Sequence, residues 1–444
     1  MTPLRLCPAN PHYLEFRGRP VLLITSGEHY GAVLNLDFNY GRYLDELQSW
    51  GFNLTRTFSG TYRELPGSFR IENNTLAPAP GRFICPWARS ETPGYSAGGN
   101  KFDLHRWDED YFRRLRDFVD QAGRRGIVVE LVLFCYFYSD ELWAASPMNA
   151  ASNVNGVGAV PRAAVYTLKH PDLLRVQEAV VRRIADALRD CDNVYYEIIN
   201  EPYVAWGTDA FQEWQRHMIE VLAAADAGRH LIAQNIANRT ARIVEPHPAV
   251  SIFNFHYAES SAVGDNYHLN RVIADDETGF KGQAMAPYRK EAWGVVLAGA
   301  GIFSHLDYSF TCAHPDGTAP VTGETPGFGG RAWRRQLAVL REFMQGFDLP
   351  RLRPAGEVLP GHWPQTFAPY ALADPGRAWA IYLNGGAPTA RVRLALPPGR
   401  YRAEWLHPAR GEVLGVEEFE QREGLRLLVS PEYEDDVALR VLAR

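Results

Sequence analysis

The feature that most constrains this chain is a regular alternation of short apolar segments with amphipathic helical segments, which continues to about residue 348. Residues 127–134 (IVVELVLF) have the length of a strand and are nearly all apolar, as expected in a parallel sheet covered on both faces. Residues 108–126 carry apolar side chains at three- and four-residue spacing, which predicts a helix with one buried face. Eight such units in about 350 residues predict an α/β fold, a (β/α)8 TIM barrel.

The predicted strands are bounded by charged, glycine or polar residues, and each is followed by a helix or a long loop. They lie at residues 19–25, 52–58, 127–134, 193–201, 230–236, 251–258, 271–278 and 301–310. The helix between the sixth and seventh strands must be short. An open doubly wound sheet is the alternative, but a glycine-rich phosphate-binding turn does not follow the first strand, which weakens it.

The pattern changes after residue 348. Apolar and polar residues then alternate with period two between turn residues, as where Tyr401, Ala403 and Trp405 are separated by charged side chains. This alternation is typical of antiparallel strands with one solvated face. We therefore expect two domains, a barrel over residues 1–348 and a C-terminal antiparallel β-sandwich over residues 352–444.

Composition and charge argue against several classes of protein. The net charge of −6 comes from mixed acids and bases without long single-sign runs, so nucleic-acid binding is not expected. The longest apolar run, residues 294–303, is too short and glycine-rich to span a membrane. The N-terminal segment lacks the apolar region of a signal peptide, so we expect a soluble, cytoplasmic protein. The alternative is a secreted protein whose leader is missing from the sequence.

Metal and cofactor motifs are also missing from the sequence. The 13 histidines do not form a pair or cluster with metal-ligand spacing, and the five cysteines lack paired spacing. A phosphate loop or dinucleotide fingerprint does not stand out. We expect no metal and no cofactor.

Polar residues stand at the C-terminal ends of all eight predicted strands. Active sites of (β/α)8 barrels are built at these ends, and chance capping explains one or two such groups but hardly eight. The residues, in strand order, are Glu28 and His29; Arg56; Tyr136 and Tyr138; Asn200 and Glu201; Gln234 and Asn235; His256 and Tyr257; Asp275, Asp276 and Glu277; and His305, Asp307 and Tyr308.

Two of these ends provide a pair of carboxylates facing each other across the barrel mouth. Such a pair suits glycoside hydrolysis, in which one carboxylic acid protonates the leaving oxygen and the other carboxylate attacks the anomeric carbon. Residues 197–202 (EIINEP) resemble the Asn-Glu-Pro signature on strand four of the retaining glycosidases of glycoside hydrolase clan A. The clan places its second glutamate at the end of strand seven, where Glu277 stands. Residues 102–131 also resemble the segment before strand three in family-five-like cellulases.

The resemblance implies a role for each matching residue. Glu201 corresponds to the acid/base, Glu277 to the nucleophile, and Asn200 to the donor that binds the 2-hydroxyl of the sugar. Arg56, in the pattern Asn53-x-x-Arg56, is expected to lower the pKa of the nucleophile by its positive charge; a structural ion pair is the alternative.

Sequence spacing makes two further predictions about side-chain direction. His256 and Tyr257 stand where the clan places a residue that orients the nucleophile, and because they are adjacent only one is expected to face the mouth. If the seventh strand is regular, Asp275 and Glu277 share a face, while Asp276 remains a possible catalytic carboxylate. The alternative for Asp275 and Asp276 is a capping or ion-pair role. Glu197 is expected to have a buried, hydrogen-bonded role.

A retaining β-glycosidase is therefore the expected function, and carbohydrate is the expected partner. The long loops at residues 59–101 and 138–158 are expected to wall off one side of the mouth, which favours exo action. The remaining candidates for substrate contact, of which the tryptophans are equally well explained as loop core, are Glu28, His29, Tyr136, Asn235, His305, Trp87 and Trp206. The alternatives are an inactive barrel that binds oligosaccharides and a transglycosylase with the same two glutamates.

Overall fold

The computed structural model describes residues 2–203, 205, 207–360, 367–386 and 388–444. Eight parallel strands form a barrel, and their order of hydrogen bonding is β2–β3–β4–β5–β6–β7–β8–β1. The strands are β1 (Leu23–Gly27), β2 (Leu54–Phe58), β3 (Val128–Cys135), β4 (Val194–Asn200), β5 (Ile232–Asn238), β6 (Val250–His256), β7 (Val272–Thr278) and β8 (Ile302–Leu306). The (β/α)8 prediction is confirmed.

Strands β1 and β2 are joined mainly through Asn53, by its backbone and its side chain, rather than by a continuous ladder of strand hydrogen bonds. The backbone N–H of Asn53 donates to the carbonyl of Ile24 at 3.3 Å, and the Asn53 side chain accepts from the Ile24 N–H at 2.9 Å. The same amide donates to the carbonyl of Leu22 at 2.9 Å. Asn53 therefore satisfies backbone groups that a paired strand would otherwise satisfy, so the barrel is nearly closed.

The lower half of the barrel is filled with apolar side chains, one or more from every strand. They pack with Leu14 and Phe16 of a three-stranded antiparallel sheet at the N-terminus (Arg5–Leu6, Leu14–Phe16 and Arg19–Val21), which closes this end. The barrel residues of this layer are Leu23, Leu54, Val128, Tyr195, Ala233, Ile252, Val272, Ala274 and Ile302. Polar chemistry is thereby confined to the opposite end.

Helices cover the outside of the barrel. They are α1 (Tyr40–Ser49), α2 (Glu109–Arg124), α3 (Asp140–Ala144), α4 (Pro171–Leu188), α5 (Asp209–Asp226), α6 (Ser260–Asn266), α7 (Met285–Ala298) and α8 (Arg331–Gln345). The helix between β6 and β7 is short, as predicted. None of the described helices is both long and apolar enough to cross a membrane.

Helix α2 illustrates how the local sequence determines these elements. Asp108 precedes the helix, and its carboxylate accepts hydrogen bonds from two backbone N–H groups of the first turn. Phe112, Leu115, Phe118 and Val119 recur on one face and are buried against the barrel. The cap fixes where the helix begins, and the apolar stripe fixes which face it buries.

The C-terminal region contains two antiparallel sheets with one common core. A six-stranded sheet has the order β9–β10–β11–β16–β13–β14, and β12 pairs with β15. The strands are β9 (Arg353–Pro354), β10 (Ala368–Asp374), β11 (Ala378–Asn384), β12 (Arg391–Ala395), β13 (Gly399–Leu406), β14 (Val413–Gln421), β15 (Leu425–Val429) and β16 (Asp436–Ala443). Because Val392 and Leu428 of the small sheet pack in the same cluster as Trp379 and Leu439 of the large one, the arrangement is a sandwich.

Helix α7 joins the sandwich to the barrel. Trp293 of α7 stacks on Tyr382 with ring centroids 5.3 Å apart, and the Arg289 guanidinium donates to the Asp436 carboxylate at 2.9 Å. The Tyr382 hydroxyl donates to the same carboxylate at 2.7 Å. This buried, paired contact braces the back of the strand-seven region.

Candidate active site

A cavity of about 210 Å³ lies at the C-terminal ends of the barrel strands. Glu201, directly after β4, and Glu277, in β7, both line it. One carboxylate oxygen of Glu201 lies within 4.8 Å of one of Glu277, and both lie within this distance of a ring nitrogen of His256. Carboxylates this close match the separation of about 5–5.5 Å in retaining glycosidases rather than the 6.5–9.5 Å of inverting ones.

Arg56 of β2 organises the floor of this cavity. Its guanidinium donates to Glu277 at 2.8 Å, to Glu197 at 2.6 Å and to the side-chain oxygen of Asn200 at 2.7 Å. Asp276 lies 3.3 Å from the same group. The positive charge therefore contacts the expected nucleophile directly, and Glu197 has the buried, hydrogen-bonded role that its position predicts.

Burial favours the protonated form of two carboxylates below the cavity. Glu130 of β3 is fully buried 3.8 Å from Arg56, and desolvation raises its pKa well above the usual range. Burial also raises the pKa of Glu197 to about 7, against the lowering effect of Arg56. One guanidinium cannot neutralise every nearby carboxylate, so protonation accommodates the remainder.

This cluster is also where a cation could be considered. Ligand atoms of Glu130, Glu197 and Asp276 lie within 4.8 Å of one another. The guanidinium of Arg56 already lies among these three carboxylates and supplies the positive charge that such a site requires. We therefore infer that Arg56, and not a metal ion, balances the charge of these three carboxylates.

His256 and Tyr138 hold Glu201 from two sides. Nδ1 of His256 lies 2.8 Å from one carboxylate oxygen, and the Tyr138 hydroxyl donates to the other at 2.6 Å. Burial acts to raise the pKa of Glu201, but the hydrogen bond and charge of His256 outweigh it and the pKa is lowered. Burial likewise opposes the charged form of His256, but the carboxylates of Glu277 and Asp276 raise its pKa well above the usual range. These opposite shifts favour the proton on His256 over Glu201.

A bulge in β7 changes the expected parity of its carboxylates. Phe255 and His256 of β6 pair with Asp275 and Glu277, so Asp276 is the extra residue. Asp276 and Glu277 both contact Arg56, whereas the Asp275 carboxylate accepts the Ala258 N–H at 3.1 Å. The expectation that Asp275 and Glu277 share a face was wrong because it assumed a regular strand.

Left-handed backbone conformations bring further residues to the cavity. Tyr30, Glu201 and Tyr257 line it and have φ of 59°, 47° and 53°. Non-glycine residues seldom adopt this region, and such strain is often stored at functional sites. Because of this turn, Tyr257 lines the cavity, whereas His256 is fully buried and contacts the Glu201 carboxylate from behind. Of these two adjacent residues only Tyr257 therefore faces the cavity.

The side wall of the cavity comes from the loop between β2 and α2. Glu64 lines the cavity and is 3% exposed. Nε2 of His29 lies 3.3 Å from both of its carboxylate oxygens, the Tyr62 hydroxyl donates to it at 3.4 Å, and the Asn74 amide also donates to it. His29 is thus placed at the cavity as predicted from its strand end, with Glu64 as its partner.

Glu28 and His305 lie behind the cavity surface and not on it. The Glu28 carboxylate accepts the backbone N–H groups of Gly31 and Ala32 at 3.0 Å and the Thr75 hydroxyl at 2.5 Å, so it braces the wall loop from behind. His305 contacts Ser26 through Nδ1 at 3.0 Å, and burial lowers its pKa to about 4. Both were expected to hold sugar hydroxyls; the structure gives them other partners.

The other predicted contacts have similar outcomes. The Asn235 amide lies 2.8 Å from Nε2 of His256 and positions that ring, and Tyr136 packs on Tyr138 with centroids 6.2 Å apart. Trp87 is buried and stacks on Trp107 within the loop core. Trp206 lies outside the described residues.

From the sequence, Tyr138 was placed at a strand end but not among the expected substrate contacts, and Glu64, Asn238, Phe69 and Phe280 were missed. All five residues line the cavity. Tyr138 had a signal, since it follows the third strand beside Tyr136. Glu64 and Phe69 had none, because they belong to a loop whose path depends on tertiary contacts.

Comparisons with known proteins agree with this geometry. The model of the cellulase family (glycosyl hydrolase family 5) matches residues 18–285, a span that includes both glutamates. A solved structure described as a glycoside hydrolase has a TM-score of 0.68 at 14% identity, covering 100% of this chain and 97% of its own. A glycoside hydrolase family 5 structure from Bacteroides vulgatus ATCC 8482 has a TM-score of 0.67 at 14% identity, covering 99% and 93%.

At these identities the solved structures establish the fold alone, and the search of curated proteins finds no match. The family match is different in kind, because it spans more than half of the 444 residues. The chain therefore belongs to glycoside hydrolase family 5, a family of retaining enzymes.

Proposed function

We propose that the protein is an exo-acting retaining β-glycosidase that removes single sugars from the non-reducing ends of β-linked glycosides. The observation that carries the proposal is the closeness of the Glu201 and Glu277 carboxylates, within 4.8 Å, in a cavity of about 210 Å³. Pockets for drug-sized ligands typically measure about 300–1,000 Å³, so this cavity suits a single sugar unit.

Glu277 is the nucleophile. The guanidinium of Arg56 donates to it at 2.8 Å and holds the carboxylate in position. Attack on the anomeric carbon forms a glycosyl ester and releases the leaving group. Water then attacks the same carbon from the other face, and the configuration is retained.

Glu201 is the acid in the first step and the base in the second. His256 holds the required proton 2.8 Å away from it. When Glu277 forms the ester it loses its negative charge, which weakens the field that keeps the proton on His256. The proton then moves through Glu201 to the departing oxygen. Loss of the negative charge on Glu277 thus favours protonation of the leaving group by Glu201.

Asn200 reads the 2-hydroxyl of the sugar. Its side-chain oxygen accepts from Arg56 at 2.7 Å, which fixes the amide with its nitrogen toward Tyr138, 3.1 Å away. The same nitrogen also donates to Cys135 Sγ at 3.5 Å. Sulfur is a weak acceptor, so a sugar hydroxyl can replace it as the partner of this N–H. A contact that shortens as the sugar flattens stabilises the transition state more than the ground state.

Exo action rests on the wall. Glu64 and Leu76 line the cavity, and the backbone N–H of Glu64 donates to the carbonyl of Leu76 at 2.8 Å, which closes the loop between them. Glu28 braces this loop through Thr75. A polysaccharide cannot continue through a braced wall, so the sugar bound there is terminal.

A panel of 4-nitrophenyl β-glycosides tests the proposal, with the configuration of the released sugar followed by NMR. For the accepted sugar, a β-linked tetrasaccharide should yield monosaccharide one unit at a time. Glu201→Gln should lower kcat on the tetrasaccharide by about 10²–10⁴-fold but spare the release of 4-nitrophenol far more, because that leaving group needs little protonation. Early disaccharide would contradict exo action, and binding without turnover would indicate an inactive barrel.

A further inference from the structure

We propose that Glu64, together with His29, binds hydroxyl groups of the terminal sugar remote from the scissile bond, so that the site accepts neutral sugars and rejects uronic acids. The inference rests on the proposed function and deepens it. Glu64 is a specificity-determining residue in this proposal and takes no part in bond cleavage.

Glu64 is a third cavity carboxylate that hydrolysis does not require. It is 3% exposed and lies on the wall, whereas the two catalytic glutamates lie at the ends of β4 and β7. Three protein side chains donate to it: His29, Tyr62 and Asn74. A carboxylate has about four acceptor positions, and the single His29 N–H is shared between both oxygens at 3.3 Å, so one position remains for a ligand hydroxyl.

His29 provides an independent observation. It lines the cavity and is 9% exposed, and within the described part of the chain its Nδ1 has no hydrogen-bond partner. Buried polar atoms in native structures rarely remain unsatisfied, and a ligand is one common explanation. With Nε2 held by Glu64, the unpartnered Nδ1 is the position left for a sugar hydroxyl, and because it is covered in the free structure the ring or its neighbours must shift when the sugar binds. The pair therefore presents a donor and an acceptor to adjacent hydroxyl groups.

The position of the pair identifies which part of the sugar it binds. His29 follows β1 and Glu64 follows β2, on the side of the cavity closed by the wall loop. His256, which holds the acid/base, lies on β6 at the opposite side of the barrel order. The hydroxyls at the wall are therefore those of the non-reducing end.

The charge of the cavity defines what it rejects. Its described lining contains the carboxylates of Glu64, Glu201 and Glu277, and His29 is the only basic side chain among the described lining residues. Arg56 lies beneath, already shared among buried carboxylates. Because His29 is already paired with Glu64, a uronic acid would bring a further negative charge against Glu64 with no unpaired cation among the described lining residues to balance it.

The loop gives Glu64 the rigidity that recognition requires. The carboxylate is fixed by Asn74, and the backbone by Leu76 at 2.8 Å. Thr75, between them, is held by Glu28 and by the Asn35 amide at 2.8 Å. Buried polar groups held in place discriminate strongly, because an analogue that lacks the hydroxyl leaves its partner unpaired.

The test compares wild type and Glu64→Ala on the accepted 4-nitrophenyl β-glycoside and its 3-, 4- and 6-deoxy analogues. We expect kcat/KM for the parent to fall about 10²–10³-fold in the variant. For the deoxy analogue that lacks the bound hydroxyl, kcat/KM of the wild type should already be low. The variant should lower this value by less than about 3-fold more. Glu72→Ala, an exposed residue of the same loop, is the matched control and should change neither ratio.

Two further arms keep the inference separate from the proposed function. Wild type should hydrolyse the corresponding 4-nitrophenyl uronide at least about 10³-fold more slowly than the neutral glycoside. Calorimetry with the methyl β-glycoside and its deoxy analogues tests binding alone, so Glu64 is assessed even if the protein does not turn substrate over. An equal effect of Glu64→Ala on every analogue, or efficient uronide hydrolysis by wild type, would overturn the inference, and lack of turnover with selective binding would overturn only the proposed function.

Discussion

The floor and the side wall of the cavity are built in different ways. The floor consists of side chains from strand ends, joined across the barrel by Arg56 through contacts of 2.6–2.8 Å. The wall is a loop held by Glu28 and Asn35 from the neighbouring loop. Strand ends hold side chains with the positional precision that bond cleavage needs. Loops vary more readily in sequence and length, and they determine which ligands can bind. We therefore propose that the floor carries out catalysis and that the wall selects the ligand.

The two parts also differ in how they balance charge. On the floor, one guanidinium serves several buried carboxylates, and burial keeps Glu130 protonated. On the wall, Glu64 is paired with His29, and Glu28 is satisfied by backbone N–H groups. Removing a floor charge therefore disturbs several groups together, whereas a wall substitution acts locally.

The largest expected effect comes from the floor. Glu277→Ala removes the group that attacks the anomeric carbon, and we expect kcat/KM to fall by about 10⁵-fold or more with every glycoside. The loss should be independent of the leaving group and of the glycone hydroxyls, which steady-state kinetics with the aryl glycoside panel would measure. If Asp276→Ala abolished turnover while Glu277→Ala retained it, the assignment of the nucleophile would be wrong.

The floor could be largely predicted from the sequence, and the reason is geometric. Strand positions follow from apolar runs, and the barrel brings all C-terminal strand ends together, so Arg56, Asn200, Glu201, His256 and Glu277 were identifiable. What failed was local direction. The bulge at Asp276 arises from strand pairing that the alternation of side chains along a regular strand cannot represent.

The wall could not be predicted to the same depth. The length of the loop indicated that it would cover the mouth, but Glu64 resembles any acidic residue in a polar segment until Leu76, Asn74 and His29 surround it. Glu28 was expected to contact substrate because it ends β1, yet the adjacent loop takes up its carboxylate. Loop paths depend on such long-range contacts, which a single sequence does not contain.

An intermediate effect is expected where the wall meets its support. A Cβ on Gly31 would lie 2.1 Å from the Thr75 carbonyl oxygen, so Gly31→Ala must shift the wall loop. Because a displacement of about 1 Å can cost about 10²-fold, we expect kcat/KM for the accepted glycoside to fall about 10–100-fold. The floor is untouched, so the pH dependence of kcat/KM should keep its shape.

Gly264→Ala is the matched control, since a Cβ there meets no atom within 4 Å. It should leave both kcat/KM and the selectivity between deoxy analogues unchanged. An unaltered kcat/KM in Gly31→Ala would mean that the position of the wall does not matter for selection, and the division between floor and wall would fail.

The smallest effect on activity, and the most specific on stability, concerns Glu28. Burial raises its pKa to about 7, against the lowering effect of the hydrogen bonds from Thr75, Ala32 and Gly31. The folded protein therefore retains this proton up to about pH 7, whereas the unfolded chain releases it near the ordinary value of about 4.5. The stability contributed by this group is thus fully present below pH 4.5 and lost as pH rises through 7, a change of about 3 kcal/mol. Glutamine does not titrate. The free energy of unfolding of Glu28→Gln should therefore fall furthest below that of wild type near pH 5, and the gap should be smaller at pH 8.

Urea unfolding at both pH values measures this gap, with the exposed Glu72→Gln as the control. If the free energies of unfolding of wild type and Glu28→Gln differed by the same amount at both pH values, Glu28 would be ionised throughout this range and held by its three donors. The wall would then gain no stability from a buried proton.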